Sequence, residues 1–551
     1  MMKENGAKIL IGGIRVSPDA PEEEVLKRAK DKMKRAGIST STLHFRLYKK
    51  SVDARRHDDV RLEYTVLAES DRPEASYAEL QLKRADARLL YERSLKPRYG
   101  SEALIARPLV VGMGPAGLFA ALMLAENGYA PILIDRGAPI EERVLDVAAF
   151  RESGVLDPES NIQFGAGGAG TFSDGKLVTR INDDRCGYVL KTLLRFGAPE
   201  EIMLKAKPHI GTDVLRQVVS AMLCEIERLG GKVLYRCRMN GFRELAGKGL
   251  AVQTNRGEFF CGAMIMAIGH SARDTYRYLI EQGFAIEPKP ISVGVRAEHL
   301  QSDIDEALYG PFAGHPNLGP AEYTLSDTRT GRGVYTFCMC PGGEVVAAAS
   351  EEGGLVVNGM SDHARSGSNA NAAVAVSVRV EDIEPENGNA ALGAIAFQRR
   401  LERAAFRLGG SDYYAPIMTV GDFLGETKCS EPRRVLPSYR GGKARVADLA
   451  KVFPSFVTDE LRYGLRSFGK KIRGYDAPDA VLTAAETRTS APLRILRLPE
   501  TLTAIGHDRI YPCGEGAGYA GGITSAGVDG IRCATALIER FAPINGKESN
   551  A

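Results

Sequence analysis

Gly112, Gly114 and Gly117 stand in the run Val110-Val-Gly-Met-Gly-Pro-Ala-Gly117, ahead of an apolar helical stretch that leads to Ile132-Leu-Ile-Asp135-Arg136. These residue types fit a strand, a glycine turn, a helix and a second strand ending in an acid. That unit binds the pyrophosphate and ribose of a dinucleotide. Gly112 permits the tight turn, Gly114 lets the backbone approach the phosphates, and Gly117 lets the helix lie close on the sheet. Pro115 and Ala116 open the helix, whose free N–H groups and positive dipole end face the phosphates. Asp135, about twenty residues on, can accept the ribose hydroxyls, with Arg136 beside it. Alone, the motif leaves NAD and FAD both open.

Four further segments select FAD. Gly165-Ala-Gly167-Gly168-Ala-Gly170-Thr171-Phe-Ser-Asp-Gly-Lys176 is a glycine-rich loop whose backbone can press on a flavin ring and pyrophosphate, with Gly167, Gly168 and Thr171 as contacts. Ala267-Ile-Gly269 closes a strand with a small, apolar end that passes near the nucleotide. Ile510-Tyr-Pro-Cys-Gly514-Glu515-Gly516 is a strand ending in a glycine and an acid suited to the ribityl hydroxyls. Gly521-Gly522-Ile523-Thr524 starts a last helix, whose amino terminus would point at the flavin N1–C2=O edge, where negative charge collects on reduction.

Candidates for the chemistry over the flavin are fewer. Glu486-Thr-Arg488 precedes the return to the nucleotide fold. Arg488 could clamp a substrate carboxylate while Glu486 moves a proton, or the two could form an internal salt bridge at the domain junction. Lys176 could meet phosphate, substrate or the flavin N1 edge, and a structural surface role is as plain a reading. In Cys338-Met-Cys340, residues two apart on a strand share a face, so both thiols could look into the site. A disulfide between them would be strained and two thiols make a poor metal site, so the bland alternative is two small residues lining a pocket. His270 is either an acid–base group or a hydrogen-bonded structural histidine. No second glycine fingerprint and no CxxxxC pair accompany these residues. Any NAD(P)H would therefore visit the substrate face transiently. No metal site is expected.

The elements that must position these groups divide the chain. Residues 1–100 read as a small basic α+β module, with strands near 8–17, 43–52 and 60–67 and a helix after Pro21, carrying an excess of roughly six positive charges. Residues 103–290 begin the FAD-binding domain, 291–480 form an inserted strand-rich α+β substrate domain with an exposed loop near 382–389, and 481–545 return to the FAD fold. The fold class is thus α/β, a discontinuous Rossmann-type domain with an insertion. At 551 residues, two or three domains are expected. A net charge of +3 is too small to call for an anionic partner. The dense basic run Lys27 to Arg35 follows Glu22 to Glu24 and lacks interleaved aromatics, so a solvated helix face explains it and nucleic acid is not expected. Leu109 to Ala125 is seventeen uncharged residues, but the fingerprint and its proline fit strand–turn–helix better than a membrane span. Nine scattered cysteines and no secretory signal point to a reducing cytoplasm.

These residues resemble the glutathione-reductase-type FAD superfamily, in its branch with an inserted substrate domain. More closely, the whole chain resembles a bacterial family of FAD-dependent dehydrogenases labelled FAD-dependent protein. The matching segments are Lys50 to Arg55, Phe164 to Leu177, Phe337 to Gly343, Val357 to Met360, Glu486 to Ser490 and Gly514 to Gly530. Asp135 stands where many relatives of the superfamily carry Glu. The resemblance implies bound FAD and a redox role and brings no settled substrate. The expectation is an FAD-dependent oxidoreductase acting on a small organic substrate between the FAD and inserted domains. The alternative is a flavoprotein whose partner, an electron-transfer protein or RNA, docks on the amino-terminal module. Oligomeric state is not legible.

Overall fold

A computed structural model of the chain describes residues 6–91, 95–245, 249–427 and 431–544. Two compact units result. The first joins Met1–Leu95 to two later segments, Pro199–His209 and Ser302–Ala321. Its antiparallel sheet runs in the order Leu43–Asp53, Arg61–Ser70, Lys8–Val16, Ala87–Leu89. On the helix Glu22–Arg35, Val25, Ala29 and Met33 form the buried stripe, at the four-residue spacing of one helix face. Glu22, Glu23 and Glu24 in its first turn and Lys32, Lys34 and Arg35 in its last complement the dipole. The later segments are tied in by backbone: Lys50 N–H donates to Leu204 O at 2.6 Å, and Lys50 O accepts Ala206 N–H at 2.7 Å.

The second unit contains a five-stranded parallel sheet in the order Ile510–Pro512, Met264–Met266, Leu109–Val111, Ile132–Ile134, Lys232–Leu234. Helices cover parallel sheets on both sides, which is why four of these strands are short, almost unbroken apolar runs. Helix Pro115–Glu126 is buried nearly all round. The closing helix Ile523–Arg540 lies so close to it that a Cβ on Gly530 would stand 2.1 Å from Ala116 O.

The chain leaves this sheet after Ile286–Pro288 and returns at Leu493–Ile495, and those two strands pair antiparallel. Between them is a seven-stranded sheet in the order Ser326–Asp327, Val334–Cys340, Asn369–Val378, Ile291–Leu300, Val481–Glu486, Ala415–Thr419, Ala444–Val446. Directly opposed residues in an antiparallel pair share a face. Val295 faces Val374 and Val293 faces Val376 on an apolar side. There, helix Ser455–Gly469 packs Gly464 against Val334. Arg296 faces both Ala373 and Thr483, and Glu298 faces Asn371, so the other side of the same sheet is polar although buried. That polar side is what the insertion brings to the site.

Candidate flavin cradle and its polar neighbourhood

Gly112 takes φ +102°, and a Cβ there would lie 2.2 Å from Ala267 O. A Cβ on Gly117 would lie 1.8 Å from Gly112 O, so only glycine lets the helix start this close to the turn. Gly114 caps the helix without a side chain, and Pro115 sits in its first turn. The glycine loop turns through positive φ at Gly165, Gly167 and Gly168 and folds back onto this helix start. A Cβ on Gly168 would stand 2.7 Å from Gly114 Cα, and one on Gly170 would touch both Pro115 and Ile523. Gly514, φ +75°, approaches the same place: its Cβ would lie 2.6 Å from Ala116 Cβ. Gly522 is extended and caps the closing helix, with no side chain over the first turn. Two helix amino termini and a glycine loop thus converge, packed so closely that Gly168 and Gly514 leave no room for a side chain. Gly269, just past the strand Met264–Met266, adjoins Gly516, and Tyr276 OH donates to carbonyls of this pair.

Three buried side chains hold the cradle. Asp135 accepts N–H bonds from Met113 on Oδ2 at 2.8 Å and from Gly137 and Gly165 on Oδ1 at 2.9 Å each. It therefore ties fingerprint turn to glycine loop and keeps one lone pair on Oδ2. Arg143 is fully buried and donates to four carbonyls around the loop, those of Asn161, Ala166, Ile162 and Gly168. Asp529 accepts Gly514 N–H at 2.8 Å and is gripped by both ends of the Arg497 guanidinium. Cys513 and Cys533 stand close enough to share a cation with Asp529. Arg497 already occupies that carboxylate and reaches Cys533 Sγ at 3.5 Å, which opposes a metal there. Glu515, by contrast, is half-buried with no hydrogen-bond partner on its carboxylate among the described residues, and burial pushes it up to about 7 against a weak pull from Lys289. Thr171 is buried and braces the loop through Ala166 O. Arg136 lies over the Phe164 ring and pairs with Asp274 at 2.6 Å. With Asp135, Phe164 and Met239 it lines a cleft beside the fingerprint strand.

The residues expected to carry chemistry separate into three groups. Glu486 is buried and bound in a two-point ion pair to Arg296, at 3.0 and 3.1 Å. Arg488 does not share that site. Its Nε and Nη2 pair with the fully buried Glu402 at 3.0 Å each, and Nη1 donates to Ser271 and Ser350. The strand ends at Glu486, so the two side chains do not keep a common face, and the carboxylate clamp expected of Arg488 is filled from within the chain. His270 lies beside this cluster with Nδ1 2.9 Å from Ser271 Oγ. Burial and the cations Arg488 and Arg273 hold it neutral, at about 3. Lys176 pairs with Asp174 at 2.8 Å. Asp174 is also held by Arg365 at 2.5 Å and by the Ser361 hydroxyl. Ser361 lines a cavity of about 690 Å³ with Ser366, Ser368, Ser438 and Asn369, so the glycine loop reaches that cavity through one hydrogen bond. The Cys338 thiol is held below its usual range by the Cys340 thiol, and further by the charges of Arg296 and Lys176. Nothing in residues 140–147 singled out Arg143, because a buried arginine satisfied by carbonyls has no sequence signature. Arg296, Glu402 and Asp529 carry no motif of their own, since each is matched only by a partner from a distant element.

Residues 290–489 match the family described as FAD-dependent protein, C-terminal domain-like, and residues 9–69 match a domain of unknown function, DUF8436. A protein of Clostridium beijerinckii, described as uncharacterized, is 45% identical over 498 residues, covering 90% of this chain and 92% of its own length. The chain belongs to this family of FAD-dependent proteins. Membership supports FAD as the cofactor, and the residues fit it: the helix start at Gly114 carries no side chain, and Glu515, next to Gly514, keeps an unmet carboxylate. Among solved structures, a geranylgeranyl bacteriochlorophyll reductase-like protein from Thermoplasma acidophilum overlaps 80% of this chain and 79% of its own at 14% identity and TM-score 0.33. NikD, an amino acid oxidase of nikkomycin biosynthesis, overlaps 82% and 100% at 13% identity and TM-score 0.32. Likenesses this shallow say nothing of the chain's chemistry. No helix among the described residues is long and apolar enough to cross a membrane.

Proposed function

We propose that the chain is an FAD-dependent oxidoreductase that exchanges hydride with a small polar organic substrate. The observation that carries this reading is the convergence of the Gly114 helix start, the glycine loop at Gly168 and Gly170, Gly514 and the Ile523 helix start. Bound FAD supplies hydride transfer at N5. The free amides of the first turn after Gly114 bind the pyrophosphate, and Pro115 and Ala116 keep that turn in place. Asp135 offers its one remaining Oδ2 lone pair to a ribose hydroxyl, a narrower role than a free carboxylate would have. Glu515 accepts a ribityl hydroxyl, and the helix starting at Ile523 meets the pyrimidine edge with its positive end. The hydroxyl-lined cavity beside Ser361 suits a hydroxylated substrate, and Asp174 of the glycine loop, paired with Lys176, reaches it through the Ser361 hydroxyl.

A nicotinamide is proposed as a transient electron donor on the substrate side. Anaerobic titration of the purified protein with NADPH and NADH tests this. Prompt loss of the flavin band near about 450 nm marks a nicotinamide-linked reductase. A band that neither nucleotide bleaches removes NAD(P)H from the scheme and leaves the organic substrate as hydride donor. A protein that retains no flavin after incubation with FAD and removal of the excess overturns the proposal.

A further inference from the structure

On a regular strand, residues two apart share a face but stand roughly 7 Å apart, too far for their sulfurs to bond. Cys338 and Cys340 are not on a regular strand. Between Phe337, opposite Ala373, and Cys340, opposite Asn371, their strand takes three steps against its neighbour's two. Cys338 absorbs the excess at φ +45°, a left-handed conformation rare for a residue with a Cβ. The bulge brings the Cys340 thiol to within hydrogen-bond reach of the Cys338 carbonyl. They are not equivalent: Cys338 is partly exposed, whereas Cys340 is fully buried behind Gly343, with its S–H also reaching Cys338 O at 3.3 Å.

Charged groups face the pair from every side: Arg296 from the central strand, Lys176 and Asp174 from the glycine loop, Glu486 from its strand end, and the Tyr323 phenol. Arg296 and Lys176 lower the Cys338 thiol, while burial and the adjoining sulfur raise that of Cys340. A second observation is independent of the sulfurs. Asn371, opposite Cys340, and Thr483, opposite Arg296, are fully buried, and Asn371 Nδ2 and Thr483 Oγ1 have no hydrogen-bond partner among the described residues. Polar atoms left unmet on the same buried face are what a polar ligand would satisfy.

We propose that Cys338 and Cys340 form a redox-active dithiol that reduces a small-molecule disulfide. The Cys338 thiolate attacks one sulfur of R–S–S–R, forming a mixed disulfide and expelling R–S⁻. Cys340 then attacks Cys338 Sγ, releasing the second R–S⁻, which takes up the Cys340 proton. The dithiol loses two electrons and the disulfide becomes two thiols. The ring closed by cysteines one residue apart is strained, and strained disulfides are easily reduced, which suits turnover better than a structural link. This chemistry goes beyond the flavin reading and needs no flavin for one turnover.

The test treats the full-length flavin-loaded protein with oxidised glutathione, blocks free thiols with iodoacetamide and digests with trypsin. Both cysteines fall in one peptide, Gly333 to Arg365. It should arrive unalkylated and lighter by about 2 Da, the loss of two hydrogens. In Cys340→Ser the reaction should stop at a glutathione adduct on Cys338, formed at a pH below the usual thiol range of about 8.5. Cys338→Ser should give neither product. The exposed Cys224 supplies the ordinary thiol rate within the wild-type protein, so the wild-type result decides even if a serine variant fails to fold. Recovery of both cysteines alkylated, or an adduct at Cys338 no faster than at Cys224, overturns the proposal.

Discussion

Glu515 and Glu402 show how differently one residue type behaves under burial. Glu515 has no strong partner, so burial favours its acid form, and its pKa rises from 4.5 to about 7. A carboxyl shifted upward by folding adds stability that is whole below its unfolded value and is lost as pH climbs through its folded value. The thermal midpoint of the flavin-free protein should therefore fall between about pH 4.5 and pH 7. Glu515→Gln, which cannot ionise, should remove that component of the fall; an unchanged pH profile would count against it. Glu402 is fully buried, but Arg273 and Arg488 hold its pKa far below the usual carboxylate range. Glu402→Gln leaves two buried guanidiniums short of an anion, a loss of about 3–5 kcal/mol that denaturant unfolding should register. That network also keeps His270 neutral, so the imidazole can accept or donate a hydrogen bond at neutral pH but brings no charge to the cradle.

At the scale of elements, the closing helix is the piece on which the cradle depends most. Gly527 and Gly530 let it press on helix Pro115–Glu126. Gly530→Ala should push the two apart, lowering stability by about 1–3 kcal/mol and weakening FAD binding together, as equilibrium unfolding and flavin titration would report. The helices and strands that build the cradle were legible because each carries its own signal. The expected closing helix Ile523 to Phe541 is found at Ile523–Arg540, and the amino-terminal helix at Glu22–Arg35. What was not legible is pairing across the insertion. Glu486 and Arg488 sit two apart in sequence, yet one answers to Arg296 and the other to Glu402, both from distant elements that only the tertiary fold brings near. Cys338 and Cys340 share one strand, as their spacing suggests, but the bulge at Cys338 breaks the regular alternation and depends on register against Asn369–Val378, which no local pattern encodes.

At the scale of the whole molecule, the amino-terminal module is not a detachable prefix. Besides Met1–Leu95 it comprises Pro199–His209 and Ser302–Ala321. Asn317 Nδ2 donates to Pro18 O at 2.9 Å, and His315 meets Asp19 at 2.9 Å. A chain lacking residues 1–95 strands both segments. It should melt lower than the intact protein and be cut first by protease within 199–209 or 302–321. Cleavage elsewhere, with no change in melting, would mean that the segments hold without the module.

The central claim is that bare backbone at Gly114, Gly168 and Gly514 forms the flavin site. Its most direct measurement is a titration of flavin-stripped protein with FAD, followed by flavin fluorescence, for the wild type and for Gly168→Ala. The added methyl would stand 2.7 Å from Gly114 Cα on a residue with φ +62°. Stoichiometric binding by the wild type, and loss of binding in Gly168→Ala at a temperature well below its lowered melting point, is the predicted result. Equal FAD affinity in the two proteins, or none in either, would contradict it.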